Sequence, residues 1–199
     1  GLQQLLKRFD IPVYTKQGTW REIQDKLIVP KNQLIELTKG SLTLGNLIVE
    51  PFAVSHDAAD PIGINVFAGK DKATVVTDTG VISDSILRRM DDTTLLVLEA
   101  NYDPHMLRFG PYQPFLKQRV ASDEGHLSNE MAAQALLMMN RPDFMQVILA
   151  HRSENNNNAV LVTQTIGKML VDGGVRIGPE MKLQHGQPNE IVSMKSVKR

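Results

Sequence analysis

The sequence predicts an α/β (α+β) protein of a single domain over residues 1–199, in which hairpins come first and strand–helix units follow as layers of a sandwich. Three observations predict it. The stretch "QLIELTKGSLTLGNLIVEPFAVSH" alternates apolar and polar residues and carries glycine at its bends, the pattern of half-buried hairpins. Further on, "TLLVLEA" is a near-continuous apolar run, as expected of a strand covered on both faces, and "FMQVILAH" reads as another strand. The length of 199 residues, 42% hydrophobic and 22% charged, suits one globular unit with a sizeable core.

The elements follow in order. In "LQQLLKRF", Leu2, Leu5, Leu6 and Phe9 share a helical face. "IPVYT" reads as a short strand with Pro12 at its edge. "TWREIQDKL" reads as a helix opened by a capping box of Thr19 and Glu22, with Trp20, Ile23 and Leu27 on one face. A strand then runs to His56. "IGINVFAG" and "ATVVTD" flank Lys70, Asp71 and Lys72 as a hairpin. "SDSILRRM" is a short capped helix. Residues 102–125 hold Pro104, Pro111 and Pro114 and read as a long loop with one helical turn at most, a feature that usually carries function. A helix follows Ser128, on which Met131, Ala132, Ala135, Leu136 and Met139 recur. After the strand "FMQVILAH", "AVLVTQTIGKMLVDGG" is a helix ending at Gly173, and "VRIG" and "NEIVSMKSV" are expected as final strands.

Titratable residues stand where the apolar runs stop: His56, Asp78, Glu99 and His151, with His126 after Gly125 and before a helix. In open α/β sheets, sites gather beyond the carboxyl ends of strands, so these make a His/carboxylate set for one or two divalent ions. Each also has a plain structural role: an Asx-turn at Asp78, an ion pair at Glu99, a helix cap at Ser128. His105 and His185, in Pro/Gly-rich polar surroundings, are taken as surface residues.

Composition narrows the classes. Lys+Arg and Asp+Glu balance at 22 each, so there is no global basic footprint for nucleic acid, although a local patch is allowed. With no cysteine, neither disulfides nor thiolate metal sites are available. No apolar run approaches the roughly 18–20 residues of a membrane span, and no signal peptide is recognised, so the expectation is a cytoplasmic protein without a membrane partner.

Taken in order, "SHDAADPIG", "TDTG", "LEANYDPHMLRFGPY", "LKQRVASDEGHLSN" and "ILAHRSENNN" resemble the metallo-β-lactamase-fold hydrolases of the YycJ-like (WalJ) group over essentially the whole chain. The resemblance implies an αββα sandwich and a dinuclear site for zinc or manganese. It also implies hydrolysis of phosphodiesters, with nucleic acid as substrate. By that resemblance His56, Asp78 and His151 are metal ligands, Asp78 bridging both ions. Glu99 and His126 are the catalytic pair that delivers a proton to the leaving oxygen, and Ser128 and Asn129 lie near the scissile phosphate. Lys117 and Arg119, in the long loop, are candidates to hold the phosphate backbone.

The sequence departs from the pattern twice. The family's H-x-H-x-D-H motif is absent, and with it four ligands, so the expectation is an N-terminally truncated, incomplete sandwich. Such a chain is expected to be inactive by itself, without a full complement of two divalent ions, and open to homo-oligomer formation through its exposed edge. Where relatives carry a histidine after E-x-N, this chain has Tyr102, whose pKa of about 10 suits neither a neutral metal ligand nor a base. Tyr102 is expected to pack or to touch substrate. Two alternatives stay open: the same fold acting on a small ester, thioester or lactam, and a metal-free protein that only binds a partner.

Overall fold

The computed structural model describes residues 2–38, 40–187 and 190–193. The chain runs α1 (Leu2–Arg8), β1 (Val13–Thr15), α2 (Gln17–Ile23), β2 (Leu34–Glu36), β3 (Leu42–Leu44), β4 (Leu47–Ala53), β5 (Ile62–Ala68) and β6 (Asp71–Val76). It continues α3 (Asp84–Met90), β7 (Leu95–Glu99), α4 (Pro104–Phe109), α5 (Pro114–Val120), α6 (Asn129–Met138), β8 (Met145–Ala150), α7 (Ala159–Asp172) and β9 (Met181–His185). β3 to β9 form one seven-stranded sheet in sequence order, and β1 pairs with β2 in a separate two-stranded sheet. Among the described residues no helix is long and apolar enough to cross a membrane.

Strand direction explains why the polar endings meet. β4 is antiparallel to β5 and β5 to β6, so β4 and β6 point the same way. β6, β7, β8 and β9 are parallel. The carboxyl ends of β4, β6, β7, β8 and β9 therefore share one edge of the sheet, the edge at which open sheets build sites.

The register also divides the sheet into two faces. Val76 lies opposite Leu98, and Leu98 opposite Leu149. This row is buried beneath a core supplied by Ile86 and Met90 of α3, Ala132 and Leu136 of α6, and Val162, Ile166 and Leu170 of α7. Each such buried Val, Leu, Ile or Met side chain contributes about 1.5–3 kcal/mol. The adjacent row, Val75, Val97 and Ile148, faces the other way, and Val75 is 37% exposed while Val97 and Ile148 are half-buried. The expectation that the strand "TLLVLEA" is covered on both faces is thus corrected.

Other expectations also change. The box of Thr19 and Glu22 does not cap α2: the N-cap is Lys16, and Thr19 sits inside the helix, its Oγ1 donating to the Asp60 carbonyl at 3.4 Å. Residues 102–125 are not one long loop. Pro104 and Pro114 open α4 and α5, because proline's fixed φ and missing N–H suit a first helical turn. Asp103 caps α4 by accepting from Met106 N at 2.8 Å. The last strand is Met181–His185 rather than "VRIG", of which Ile177 forms only an isolated bridge to Met181. Of "NEIVSMKSV", residues 190–193 are not strand and the remainder lies outside the described residues.

Candidate metal and catalytic site

His56 follows β4, Asp78 follows β6, Glu99 ends β7 and His151 follows β8. Asp78 (φ 55°) and His151 (φ 52°) adopt left-handed backbone conformations. Such conformations are uncommon outside glycine and cost on the order of 1–3 kcal/mol each. Of the three non-glycine residues with positive φ among those described, Asp78 and His151 lie on the cleft, and Asp92 lies in the turn after α3. His126 arrives differently. A Cβ on Gly125 would fall 2.3 Å from the Arg119 carbonyl oxygen, and one on Gly80 would fall 2.2 Å from that of Ser122. Glycine at both positions lets the turn after α5 lie against the Thr79–Gly80 turn and brings His126 to Glu99.

Glu99 is fully buried and satisfied on both oxygens. Its Oε1 lies 2.7 Å from His126 Nδ1 and 2.8 Å from His151 Nδ1, and its Oε2 accepts from Thr79 N at 3.1 Å. Burial pushes this carboxyl up, but the hydrogen bonds from His126 and His151 outweigh it and hold the group below the ordinary glutamate value. The same bond from Glu99 raises His151, against the opposing effect of burial. His56 is held by a carbonyl instead, with Nδ1 2.9 Å from Gly125 O. Asn101 Nδ2 donates to the His151 carbonyl at 2.8 Å and fixes that backbone.

Because Nδ1 of all three imidazoles faces an acceptor, Nδ1 is the donating nitrogen and Nε2 is the one offered to a metal. Asp78 Oδ1 lies 3.7 Å from His56 Nε2 and 3.6 Å from His151 Nε2. Ligand atoms of His56, Asp78 and His126 lie within 4.8 Å of one another, as do those of Glu99, His126 and His151. This is a donor set of imidazole nitrogen and carboxylate oxygen, which suits zinc or manganese. The residues therefore fit a divalent ion: Asp78 and the Nε2 atoms of His56, His126 and His151 are all available as donors, and the expected ligands His56, Asp78 and His151 are among them. The cleft of about 470 Å³ around them is also lined by His126, Tyr112 and Arg119.

The expected substrate contacts divide. Arg119 reaches the cleft, but its guanidinium is paired with Asp57, Nη2 donating to Oδ1 at 2.9 Å. The Arg119 bond holds the Asp57 carboxyl below its usual range, and Asp57 raises Arg119 in turn. Lys117 is half-buried and donates to the Arg108 carbonyl at 2.8 Å. Ser128 and Asn129 lie apart from the cleft lining. Ser128 is buried and caps α6, accepting from Met131 N, and Asn129 is fully buried in a reciprocal amide pair with Asn157. Neither side chain lines the cleft, because each is committed to holding the helix start. Tyr102 is buried against Leu107 and Val120, and burial raises its hydroxyl above the usual value. His185 bonds Thr163 through Nε2 at 2.8 Å, outside the cleft.

Sequence reasoning missed Asp57, Thr79, Asn101 and the double duty of Glu99. Asp57 carried one signal, its place directly after His56 in "SHDAAD". The others act through contacts with distant chain segments and leave no local pattern.

Residues 1–151 match the family description "Beta-lactamase superfamily domain". The chain is 33% identical over 190 residues to exodeoxyribonuclease YycJ of Bacillus anthracis, covering 94% of this chain and 72% of that protein. It is 29% identical over 194 residues to exodeoxyribonuclease WalJ of Streptococcus pneumoniae, covering 95% and 72%. Among solved structures, the metallo-β-lactamase fold protein YhfI from Bacillus subtilis superposes with a TM-score of 0.62 at 14% identity, over 92% of this chain. The chain spans 65% of that structure's length.

Proposed function

The chain belongs to the beta-lactamase superfamily, and on that premise we propose that it carries the site of a metal-dependent phosphodiesterase acting on DNA. The fold is the α/β metallo-β-lactamase type. The observation that supports the reading best is the shared carboxylate. Glu99 holds His126 and His151 by their Nδ1 atoms while Asp78 stands between the Nε2 atoms of His56 and His151. An arrangement that leaves Asp78 and three imidazole Nε2 atoms available, with two of the rings set by one buried carboxylate, is suited to metal-dependent hydrolysis. The exodeoxyribonuclease relatives direct the choice of substrate to DNA rather than to a small ester or lactam.

In this reading His56, Asp78 and His151 are the ligands. Divalent ions held by them supply Lewis-acid charge for the phosphate and lower the pKa of water towards about 7. His126 donates from Nε2 to the departing oxygen. Its Nδ1–H points at Glu99, which keeps the ring in register and stabilises the imidazolium form needed for that transfer. Arg119 binds a phosphate oxygen once it leaves Asp57.

A catalytic zinc takes about three protein ligands plus water. His56, Asp78 and His151 cannot supply two ions at that level, so the 199 residues by themselves are expected to lack a stoichiometric metal pair and to hydrolyse nothing. The half-open row of Val75, Val97 and Ile148 favours their self-association. The test is hydrolysis of single- and double-stranded DNA and RNA, with zinc or manganese, by the protein expressed from its whole reading frame. Metal-dependent release of nucleotides from DNA that Asp78→Ala abolishes is the expected result. Cleavage of esters or lactams with DNA left intact would overturn the proposal.

A further inference from the structure

The segment from Pro104 to Val120 has a composition unlike the rest of the chain. It holds Arg108, Lys117 and Arg119 and no Asp or Glu, in a protein whose formal charge is zero. It also exposes large aromatics: Phe109 is 66% exposed and Phe115 is 70% exposed. The fold does not need them outside. The inner side of α4 and α5 already buries Leu107 and Val120 against Tyr102, with Leu116 and Tyr112 packed around them.

Their position relates them to the cleft. Phe115 stands four residues before Arg119 on α5, so both side chains leave the same side of the helix. Arg119 lines the cleft, as does Tyr112 in the turn between the helices. Phe109 is flanked by the Arg108 guanidinium, 5.3 Å from its ring centroid, and by the His105 ring at 4.6 Å. Lys117 ties α5 to the end of α4 through the Arg108 carbonyl. Acidic groups border the segment: Asp57 on Arg119, Asp103 capping α4, Asp78 and Glu154 in the cleft lining, and Asp123 and Glu124 just after α5. Arg108 and Lys117 have no carboxylate partner among the described ion pairs.

Exposed aromatic faces interleaved with unneutralised cations are what proteins offer to unpaired nucleotides, whose bases stack while their phosphates meet the cations. Resting on the DNA-directed reading above, we propose that Phe109 and Phe115 form a stacking platform that leads the bases of a single DNA strand into the cleft. A duplex keeps its bases stacked on each other and gains nothing from such a platform. A protein partner would be expected to bring carboxylates to Arg108 and Lys117, and a second copy of this segment would bring only more positive charge.

The experiment uses the metal-free chain in chelator, so binding is read without turnover. Fluorescence anisotropy compares a labelled thymidine oligomer with an abasic oligomer of the same length, which keeps the phosphates and lacks the bases. The thymidine strand is expected to bind about 5-fold or more tightly, the lower end of stacking on one aromatic. Phe109→Ala/Phe115→Ala is expected to bring both oligomers to the abasic affinity without changing the salt dependence, and to keep the wild-type circular dichroism because both rings are exposed. Equal affinities for the two oligomers, or a preference that survives the double substitution, would overturn the platform. So would duplex DNA binding with the same dependence on the two phenylalanines, or light scattering showing that they serve self-association. Those results would leave Asp78-dependent hydrolysis untouched, so failure of the platform is separable from failure of the nuclease reading.

Discussion

On one wall of the cleft His126 and His151 hang from a single buried carboxylate oxygen, Glu99 Oε1, at 2.7 and 2.8 Å. On the other wall His56 hangs from a backbone carbonyl, Gly125 O, at 2.9 Å, and Asp78 stands with its side chain 43% exposed. Both devices set the same tautomer and turn Nε2 inward. They differ in what they link to it. A carbonyl carries no charge, so His56 is tied to the path of the backbone. A carboxylate is charged, so His126 and His151 are tied to each other's protonation and to the solvation of Glu99.

That difference predicts the largest effect at Glu99. Glu99→Ala leaves the His126 imidazole N–H and the Thr79 N–H facing a cavity, at about 1–3 kcal/mol for each buried unsatisfied group, and leaves the more exposed His151 N–H to solvent. Partial rescue by water keeps the expected loss near 3–5 kcal/mol, in the range for breaking a buried pair. Urea denaturation of the metal-free chain reads it, and any preparation that hydrolyses DNA is expected to lose turnover as well. A loss below about 1 kcal/mol would mean that the walls are anchored alike.

The next two substitutions separate ligand from acid. Asp78→Ala removes the group between the two Nε2 atoms; turnover and bound metal are expected to vanish together. His126→Ala is expected to slow hydrolysis by roughly 10²–10⁴ with metal content intact. Elemental analysis beside the rate assay decides the matter. Metal lost from the His126 variant would move His126 to the ligand set.

How much of this was open to sequence reading follows the same division. The strand ends were legible because an apolar run that stops on His, Asp or Glu is a local signal, and His56, Asp78, Glu99 and His151 all carry it. What each side chain holds was not legible. Glu99 meets His151 across 52 residues, and Arg119 meets Asp57 across 62. These pairings exist only once β4, β6, β7 and β8 share a direction. Prolines misled for a different reason: Pro104 and Pro114 are as compatible with a helix start as with a loop, and the cap at Asp103 was the deciding clue. Met181–His185 does alternate, but its ladder with β8 carries that assignment more than its composition.

A smaller effect is expected from pH. Glu99 is lowered in the folded chain, so its contribution is present above its unfolded value of about 4.3 and is lost as pH falls through the folded value. His151 is raised, so its contribution is complete below about 6.5 and is lost as pH rises through its folded value. The metal-free chain is therefore expected to be most stable between those two points. Glu99→Gln should flatten both limbs. Urea midpoints measured across the range test this, and parallel profiles for wild type and variant would show that the bond carries no charge coupling.

The smallest effect is expected at Asp57, which resembles Glu99 in being a carboxylate that accepts from side-chain N–H groups and differs in being open to water. Its carboxyl is held down first by the Arg119 bond, with two parallel contacts to the guanidinium. Both side chains are a third or more exposed, so solvent screens the pair and its worth falls to about 0.2–1 kcal/mol. Asp57→Asn should thus barely move the urea midpoint. Its consequence should lie in the cleft, where Arg119 loses its competitor and becomes free to meet a phosphate. Affinity for a DNA oligomer is expected to rise a few-fold at low salt, with the gain shrinking as salt is added. A stability loss above about 2 kcal/mol with unchanged DNA affinity would instead make Asp57 a structural anchor of α5, as Glu99 is for the opposite wall.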